Sequence, residues 1–256
     1  MKQEFTVDLL QVYRFSQRDA MGEAGARQAA VFIRQFIEQK GEANLIFASS
    51  PSQIDLLNGL LAQDVDWSRV NAFHMDEYTG LDIEHPSSFA NYIKKHFFAK
   101  VPLKNAFYMD GTAKEPLAEC RRYEALLWKY PTDITFAGIG ENGHIAFNDP
   151  GIADFFETPL VKINASLDSL CRQQQVNDGW FHSLDEVPAS AITITFPGVL
   201  RAKHMIITVP GTNKSEIIQK CLENPVGYDV PASIVRLHRN AQLYIDDASA
   251  GLLRKF

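Results

Sequence analysis

The feature that most limits the fold of this chain is a series of short apolar runs separated by longer segments with helical spacing. LQVYRF from Leu10, NLIFA from Asn44 and ITFA from Ile134 are three such runs. A strand without alternating polar positions is buried on both faces, which is typical of parallel sheets covered by helices. We therefore predict an α/β fold with three layers and a mainly parallel sheet in the middle.

The other predicted strands and helices alternate along the chain. Further strands are predicted from Val70 to Phe73, from Ala191 to Thr195, from His204 to Val209 and from Gln242 to Asp246. Helices are predicted from a capping-box pattern at residues 16–19 up to Gly41, through residues 54–61, near residues 88–98 and over residues 214–222. No internal repeat or long linker interrupts this order, so we expect a single domain over residues 1–256.

Charge and cysteine content argue against several classes of protein. The formal net charge is -6, which does not favour binding to nucleic acid or to an anionic membrane. Cys120, Cys171 and Cys221 lie far apart without a C-x-x-C pair, so neither a disulfide framework nor a structural metal site is expected. The N-terminus is too mixed in polarity for a signal peptide, and the apolar runs are too short to span a membrane. We expect a cytoplasmic protein.

Polar segments that directly follow predicted strands are candidate sites, because ligands of parallel sheets bind at the carboxyl ends of the strands. Three segments qualify, at residues 49–52, 76–78 and 141–149. In the second, Asp76 and Glu77 follow a histidine, and partial burial would let such a carboxylate act as a general base. Taken alone, this segment favours the structural interpretation, in which Asp76 caps the next element and Glu77 makes a salt bridge.

The third segment combines glycines with a histidine. It contains Gly138, Gly140, Asn142, Gly143, His144 and Asp149. Glycines let the backbone approach a ligand closely, although their spacing is not that of a dinucleotide-binding loop. An imidazole flanked by amide and carboxylate groups can move protons on and off a sugar hydroxyl. A tight turn around a hydrogen-bonded histidine is the structural alternative.

Two segments could hold a phosphate group. Ser49, Ser50 and Ser52 offer hydroxyls and backbone N–H groups at the start of a predicted helix. Lys214 follows the strand that ends at Val209 and can reach a phosphate as a point charge. Ordinary helix caps and surface lysines look the same, so each signal is weak by itself.

Two motifs together resemble those of the glucosamine-6-phosphate deaminase (isomerase) family. They are M-D-E-Y at residues 75–78 with a following glycine at 80 and H-P at 85–86, and G-I-G-x-N-G-H-I-A-F-N-D-P at residues 138–150. The similarity continues in the same order through C-R-R-Y-E at 120–124, V-P at 187–188 and Lys214. It covers most of the chain and implies a three-layer α/β domain of the deaminase and ribose-5-phosphate isomerase type.

The resemblance implies a role for individual residues. Asp76 would be the enolising base, which takes the C2 proton of the opened sugar and returns a proton at C1. His144 would open the ring, with Asn142 and Asp149 as its partners. The substrate-binding and phosphate-binding residues that it implies are Ser49, Ser50, Ser52, Glu77, Gly140, Gly143, Arg172 and Lys214. No metal and no organic cofactor is needed, because the substrate's own carbonyl acidifies the proton.

The chain departs from the family pattern at its phosphate loop. It has A-S-S-P-S-Q at residues 48–53, where most members have a T-G-G-T-P-like loop, and Asp149 replaces a common glutamate. The function expected is a hydrolase/isomerase-type conversion of an amino-sugar phosphate to a ketose phosphate and ammonia, by a divergent family member. The partner expected is a phosphorylated amino sugar, with neither nucleic acid nor membrane, and a homo-oligomer is a possible form.

Two alternatives stay open. A 6-phosphogluconolactonase shares the fold, but that family tends to have D-E-R where this chain has Asp76-Glu77-Tyr78. A non-catalytic sugar-phosphate sensor would explain the altered loop, although a pure binder needs no paired acid and base.

Overall fold

A computed structural model describes residues 3–255 of the chain. The strands are β1 (Gln3–Val7), β2 (Leu10–Phe15), β3 (Ala43–Phe47), β4 (Val70–His74), β5 (Asp76–Tyr78), β6 (Asn105–Phe107), β7 (Ile134–Ala137), β8 (Val161–Asn164), β9 (Ala191–Ile194), β10 (His204–Val209) and β11 (Ala241–Asp246). The α-helices are α1 (Arg18–Lys40), α2 (Ile54–Leu61), α3 (Phe89–His96), α4 (Pro116–Lys129), α5 (Ser169–Asn177), α6 (Phe196–Leu200) and α7 (Ser215–Glu223). Short 3₁₀ turns connect several of them, among them Pro51–Gln53 and Thr212–Lys214.

The main sheet has the strand order β1-β2-β11-β10-β7-β3-β4-β6. Its neighbours pair in parallel except for the β1–β2 hairpin, which is antiparallel. A second sheet of three antiparallel strands has the order β5-β9-β8. The mainly parallel sheet with flanking helices confirms the predicted α/β class.

Apolar side chains of the central strands pack on both faces of the main sheet. On β3, Leu45 and Phe47 join a core with α1 and α2, while Ile46 joins a core with α4 and α7 on the opposite face. All three are fully buried. This two-sided burial is the reason that the central strands read as unbroken apolar runs in the sequence.

Four adjacent strands bring the predicted site segments to one edge of the sheet. In the register, Phe47 lies opposite both His74 and Phe136, and Ala137 lies opposite Ile207. Because β10, β7, β3 and β4 run parallel, the segments that follow them all leave the sheet at their carboxyl ends. The chain therefore gathers four segments that are far apart in sequence at a single edge.

Two details of the predicted elements are wrong. Helix α1 begins at Arg18 with Gln17 as its N-cap, and no side chain caps it, so the capping box at residues 16–19 does not form. The predicted strand from Ala191 belongs to the small antiparallel sheet, not to the parallel one. The end of α1 is as predicted, because Gly41 adopts φ 84° and donates its N–H to Ile37.

Within residues 3–255, no helix combines the length and the apolar composition that crossing a lipid bilayer requires.

Candidate active site

A cleft opens at the carboxyl ends of the four central strands. Its empty space is about 560 Å³, including its open mouth. The side chains and backbone that line it include Ser49, Ser50, Ser52, Asp76, Phe89, Gly138, Gly140, His144, Phe147, Gln174, Gln175, Asp178 and Lys214. The structure thus brings together residues from all three polar segments predicted from the sequence and from the segment of Lys214.

Asp76 is the first residue of β5 and lies on the cleft wall, only 7% exposed. Within residues 3–255 its carboxylate accepts no hydrogen bond, so nothing in that part of the chain compensates for the loss of water. Burial, with a smaller contribution from the neighbouring Glu77 charge, raises the pKa of Asp76 to about 8. A carboxyl group with this pKa can both take and return a proton near neutral pH.

His144 lines the same cleft and is oriented through one ring nitrogen. Its Nδ1 lies 2.7 Å from Asn142 Oδ1 and 3.3 Å from Asp149 Oδ1. The amide nitrogen of Asn142 donates to Asp149 and Asp168, so its oxygen must face the imidazole. Two oxygen acceptors at Nδ1 place the proton of a neutral ring there, which leaves Nε2 as a free acceptor.

Asp149 is buried and holds a negative charge behind His144. Burial acts to raise its pKa, but the hydrogen bonds and charge of His144, with further donors, outweigh it, and the pKa of Asp149 lies below its usual value. The further donors include Asn142, Asn164 and the Asp168 N–H. The ionised Asp149 therefore stabilises the imidazolium that forms when His144 takes a proton.

The glycines of the loop create the space that the histidine occupies. A Cβ on Gly140 would overlap the His144 ring, and a Cβ on Gly138 would lie 2.9 Å from Gln53 Nε2. Gly143 adopts φ 91° and donates its N–H to the Gly140 carbonyl at 2.9 Å. Gly143 thus shapes the turn, whereas Gly138 and Gly140 are the glycines exposed to the cleft.

The serine loop, residues 49–52, lies beside Gly138 of the glycine loop, because the two loops follow the adjacent strands β3 and β7. Ser50 and Ser52 share a hydrogen bond of 2.6 Å between their hydroxyls, and Gln53 is fixed to Thr208 of β10 through both atoms of its amide. The Ser49 hydroxyl is buried and has no hydrogen-bond partner in the described part of the chain. A buried hydroxyl without a partner costs free energy, and Ser49 lies on the wall of the cleft.

Lys214 ends the 3₁₀ turn after β10 and is 5% exposed. Burial lowers its pKa, against the attraction of Glu141 and Asp178, which acts in the opposite direction. Its ammonium group makes neither a hydrogen bond nor a close ion pair with any residue between 3 and 255. A buried cation that faces a cleft without a partner is a binding point for an anion.

Three residues that the sequence assigned to the substrate do not line the cleft. Glu77 accepts hydrogen bonds from Ser88 and from the first N–H groups of α3, so it caps that helix. Arg172 Nη2 donates to the carbonyls of Leu184 and Val187 at 2.7 and 2.9 Å. The Gly143 carbonyl accepts the Ala232 N–H at 2.8 Å. These contacts within the protein give all three a structural place.

Three residues that lie in α5 or directly after it line the cleft but were not predicted from the sequence. They are Gln174, Gln175 and Asp178. The first two belong to a short glutamine run that carries no motif, and the last follows the helix directly. Only their position on α5, which folds over the carboxyl ends of the strands, gives them access to the cleft, and one sequence offers no signal for that placement.

Three side chains of the types that bind metal ions also lie beside the cleft. Atoms of His144, Asp149 and Cys171 are all within 4.8 Å of one another. The histidine nitrogen in question already donates to oxygen acceptors, and burial holds the pKa of the Cys171 thiol well above its ordinary value. These groups form a hydrogen-bonded cluster that suits orientation of the imidazole better than metal binding.

The sequence of this chain is similar to those of glucosamine-6-phosphate deaminases. Its residues 16–245 match the family described as glucosamine-6-phosphate isomerases/6-phosphogluconolactonase. A glucosamine-6-phosphate deaminase from Lactobacillus delbrueckii subsp. bulgaricus is 34% identical over 89% of this chain and 94% of its own length. One from Enterococcus faecalis is 32% identical over 92% of this chain and 98% of its own.

Solved structures agree with these matches. A monomeric glucosamine-6-phosphate deaminase superposes with a TM-score of 0.86 at 30% identity, covering 94% of this chain and 99% of its own. A 6-phosphogluconolactonase from Thermotoga maritima has a TM-score of 0.74 at 16% identity, covering 93% and 99%, which is a likeness of fold alone. The resemblance inferred from the two motifs is confirmed: this chain belongs to the glucosamine-6-phosphate isomerase/6-phosphogluconolactonase family.

Proposed function

We propose that this protein converts an amino-sugar phosphate, such as glucosamine 6-phosphate, into the ketose phosphate and ammonia. The observation that carries the proposal is the convergence of the buried Asp76 carboxyl, the oriented His144 imidazole and the unpaired Lys214 ammonium on one cleft. The curated relatives named above, which align over nine-tenths of the chain, support the same reaction.

The proposed reaction begins with ring opening. Nε2 of His144 accepts the proton of the C1 hydroxyl and passes a proton to the ring oxygen, which gives the open-chain aldehyde. Asn142 and Asp149 keep the imidazole in the required tautomer and stabilise its charge while it carries the proton. The Lys214 ammonium and the hydroxyls of Ser49, Ser50 and Ser52 would hold the terminal phosphate meanwhile.

Isomerisation and deamination then follow at C1 and C2. Asp76 takes the proton from C2, and one proton of the substrate's ammonium group passes to O1, which forms a neutral enolamine. The carboxylic acid of Asp76 then returns a proton to C1. The product is a C2 iminium, to which one water adds, and ammonia leaves from C2. The balance is one amino-sugar phosphate and one water consumed for one ketose phosphate and one ammonia, so the net change is a hydrolytic deamination.

The proposal is tested by Asp76→Asn. An amide cannot accept the C2 proton, so ammonia release from glucosamine 6-phosphate should fall by about 10³-fold or more, while the circular dichroism spectrum stays that of the wild type. Asp64→Asn removes the same charge from an exposed position and should release ammonia at the wild-type rate. Asp76→Asn with undiminished ammonia release would refute the role of this carboxylate.

The rival functions give other results in the same assay. A lactonase would hydrolyse 6-phosphogluconolactone without releasing ammonia from any amino sugar, and a sensor would bind sugar phosphates without turnover. The solved lactonase from Thermotoga maritima resembles this chain in fold alone. Cytoplasmic location, a single domain and homo-oligomer formation stay predictions, which fractionation, limited proteolysis and sedimentation would test.

A further inference from the structure

The cleft wall carries little positive charge for a ligand with two negative charges. In the described part of the chain, the wall has one ammonium, Lys214, and two carboxyl groups, Asp76 and Asp178. Arg172 adds nothing to the wall, because its guanidinium is hydrogen-bonded to backbone carbonyls. A phosphate dianion in this cleft therefore meets a single cation with a carboxyl group near it.

Asp178 is held at the wall by the way helix α5 ends. The N–H groups of Gly179 and Trp180 bond back to the carbonyls of Val176 and Gln175, both at 3.0 Å, and Gly179 has φ 80°. This is a Schellman motif, which fixes the backbone that follows the helix. Asp178 is the helix C-cap in this motif, so its position is set by the backbone.

An aromatic contact fastens the same turn to the neighbouring helix. Trp180 lies with its ring 5.3 Å from that of Phe89 and 5.1 Å from that of Tyr92, both of α3. Gln174 Nε2 donates to Asp178 Oδ2 at 3.3 Å and fixes the carboxyl group further. The position of Asp178 on the cleft wall is therefore fixed by the backbone, by aromatic packing and by a side-chain hydrogen bond.

The carboxyl group of Asp178 and the ammonium of Lys214 act on each other. Burial raises the pKa of Asp178, and the Lys214 charge opposes that rise. No ion pair within bonding distance joins the two side chains in the described residues, so the ammonium stays free for a ligand. The negative charge of Asp178 nevertheless reduces the field that the ammonium offers to an anion.

We propose that Asp178 determines substrate specificity at the end of the cleft where Lys214 lies. Its negative charge weakens binding of a terminal phosphate, so amino sugars with an uncharged terminal group can compete as substrates. The proposal rests on the proposed function for the reacting end of the substrate, and it concerns only the end that meets Lys214. The proposal also accounts for the altered serine loop, since serine hydroxyls can form hydrogen bonds with a neutral terminal hydroxyl as well as with a phosphate.

The experiment compares Asp178→Asn with the wild type on glucosamine 6-phosphate and on glucosamine. Asparagine keeps the acceptor for Gln174 and loses the charge. The KM for the phosphate ester should fall about tenfold, which equals about 1.4 kcal/mol, and the KM for glucosamine should change less than twofold. A higher KM for the phosphate ester, or an equal change for both substrates, would overturn the proposal.

A binding measurement separates this proposal from the proposed function. Inorganic phosphate, titrated calorimetrically, should bind Asp178→Asn about tenfold more tightly than the wild type, and Asp185→Asn, which removes an exposed charge, should match the wild type. If the variant binds phosphate no more tightly, Asp178 has no such role, whatever the enzyme assay shows. If phosphate binding rises but no amino sugar is deaminated, the specificity role stands and the proposed function fails.

Discussion

Asp76 lies in surroundings that oppose its charge, and this sets the expected pH dependence. Its pKa is raised to about 8, mainly by burial, so below that pH most of the free protein has a neutral carboxyl group. Only the ionised form can take the C2 proton. We therefore expect kcat/KM to rise about tenfold per pH unit up to about pH 8 and then to level, as a pH–rate profile would measure.

The raised pKa of Asp76 also means that its contribution to the stability of the folded protein falls as the pH rises. The folded protein binds the Asp76 proton more tightly than the unfolded chain, where an aspartate titrates near pH 4. The stabilisation from this group is complete below that pH and is lost as the pH rises through about 8. Asp76→Asn should therefore match the wild type in thermal unfolding at about pH 3.5 and exceed it by a growing margin up to pH 8. Equal midpoints at pH 8 would contradict the shift.

Residues of the site differ in how well the sequence predicts them. Asp76 and His144 were predicted because each lies in a polar segment that follows an apolar strand and belongs to a motif with several fixed neighbours. Asp178 was not, because its access to the cleft depends on a helix end fastened by an aromatic contact to another helix. Glu77 was misassigned, since a carboxylate next to the base looks the same in sequence whether it meets the substrate or a helix terminus.

At the scale of elements, the N-terminus of α3 depends on a carboxylate from outside the helix. Glu77 accepts hydrogen bonds from the Ser88 hydroxyl at 2.7 Å and from the N–H groups of Phe89 and Ala90 at 3.2 and 2.9 Å. Glutamine would turn an NH₂ group towards these donors. We expect Glu77→Gln to lower the free energy of unfolding by about 2 kcal/mol in urea denaturation.

A matched variant shows whether the loss comes from this cap. Glu84 is an exposed glutamate on the same stretch, paired with Lys94 at 2.8 Å. An exposed ion pair contributes little, so Glu84→Gln should change the free energy of unfolding by less than about 1 kcal/mol. Equal destabilisation by the two variants would mean that Glu77 acts only through its charge.

The elements that the sequence predicts best are those buried on both sides. β3, β4, β7 and β10 are short, mostly apolar and mostly buried, and each was predicted close to its observed bounds. The strands β5 and β8 were not predicted as strands, because they are short and their residues include Asp76, Glu77 and Lys162. Their strand geometry comes from pairing with β9, which is a tertiary contact and leaves no periodic pattern.

At the scale of the whole molecule, the small sheet joins the two halves of the site. Asp76 lies on β5 and His144 on the loop after β7, and these belong to different sheets. Thr193 of β9 connects them, because it pairs with Asp76 in the β5–β9 register while its hydroxyl accepts the Phe147 N–H at 3.0 Å. The distance between base and imidazole therefore depends on a residue that touches neither reacting group.

Thr193→Val tests this connection, since valine keeps the shape and removes the acceptor. The buried Phe147 N–H would lose its partner, so we expect the loop to shift and kcat for ammonia release to fall about tenfold or more. Thr135→Val is the matched control, because that buried hydroxyl donates to the Val199 carbonyl at 3.2 Å in the main sheet. Both variants should lose about 1–3 kcal/mol in the free energy of unfolding, but only Thr193→Val should lose turnover. If kcat falls equally in both, general loosening of the fold explains the effect, and the two halves of the site are positioned independently.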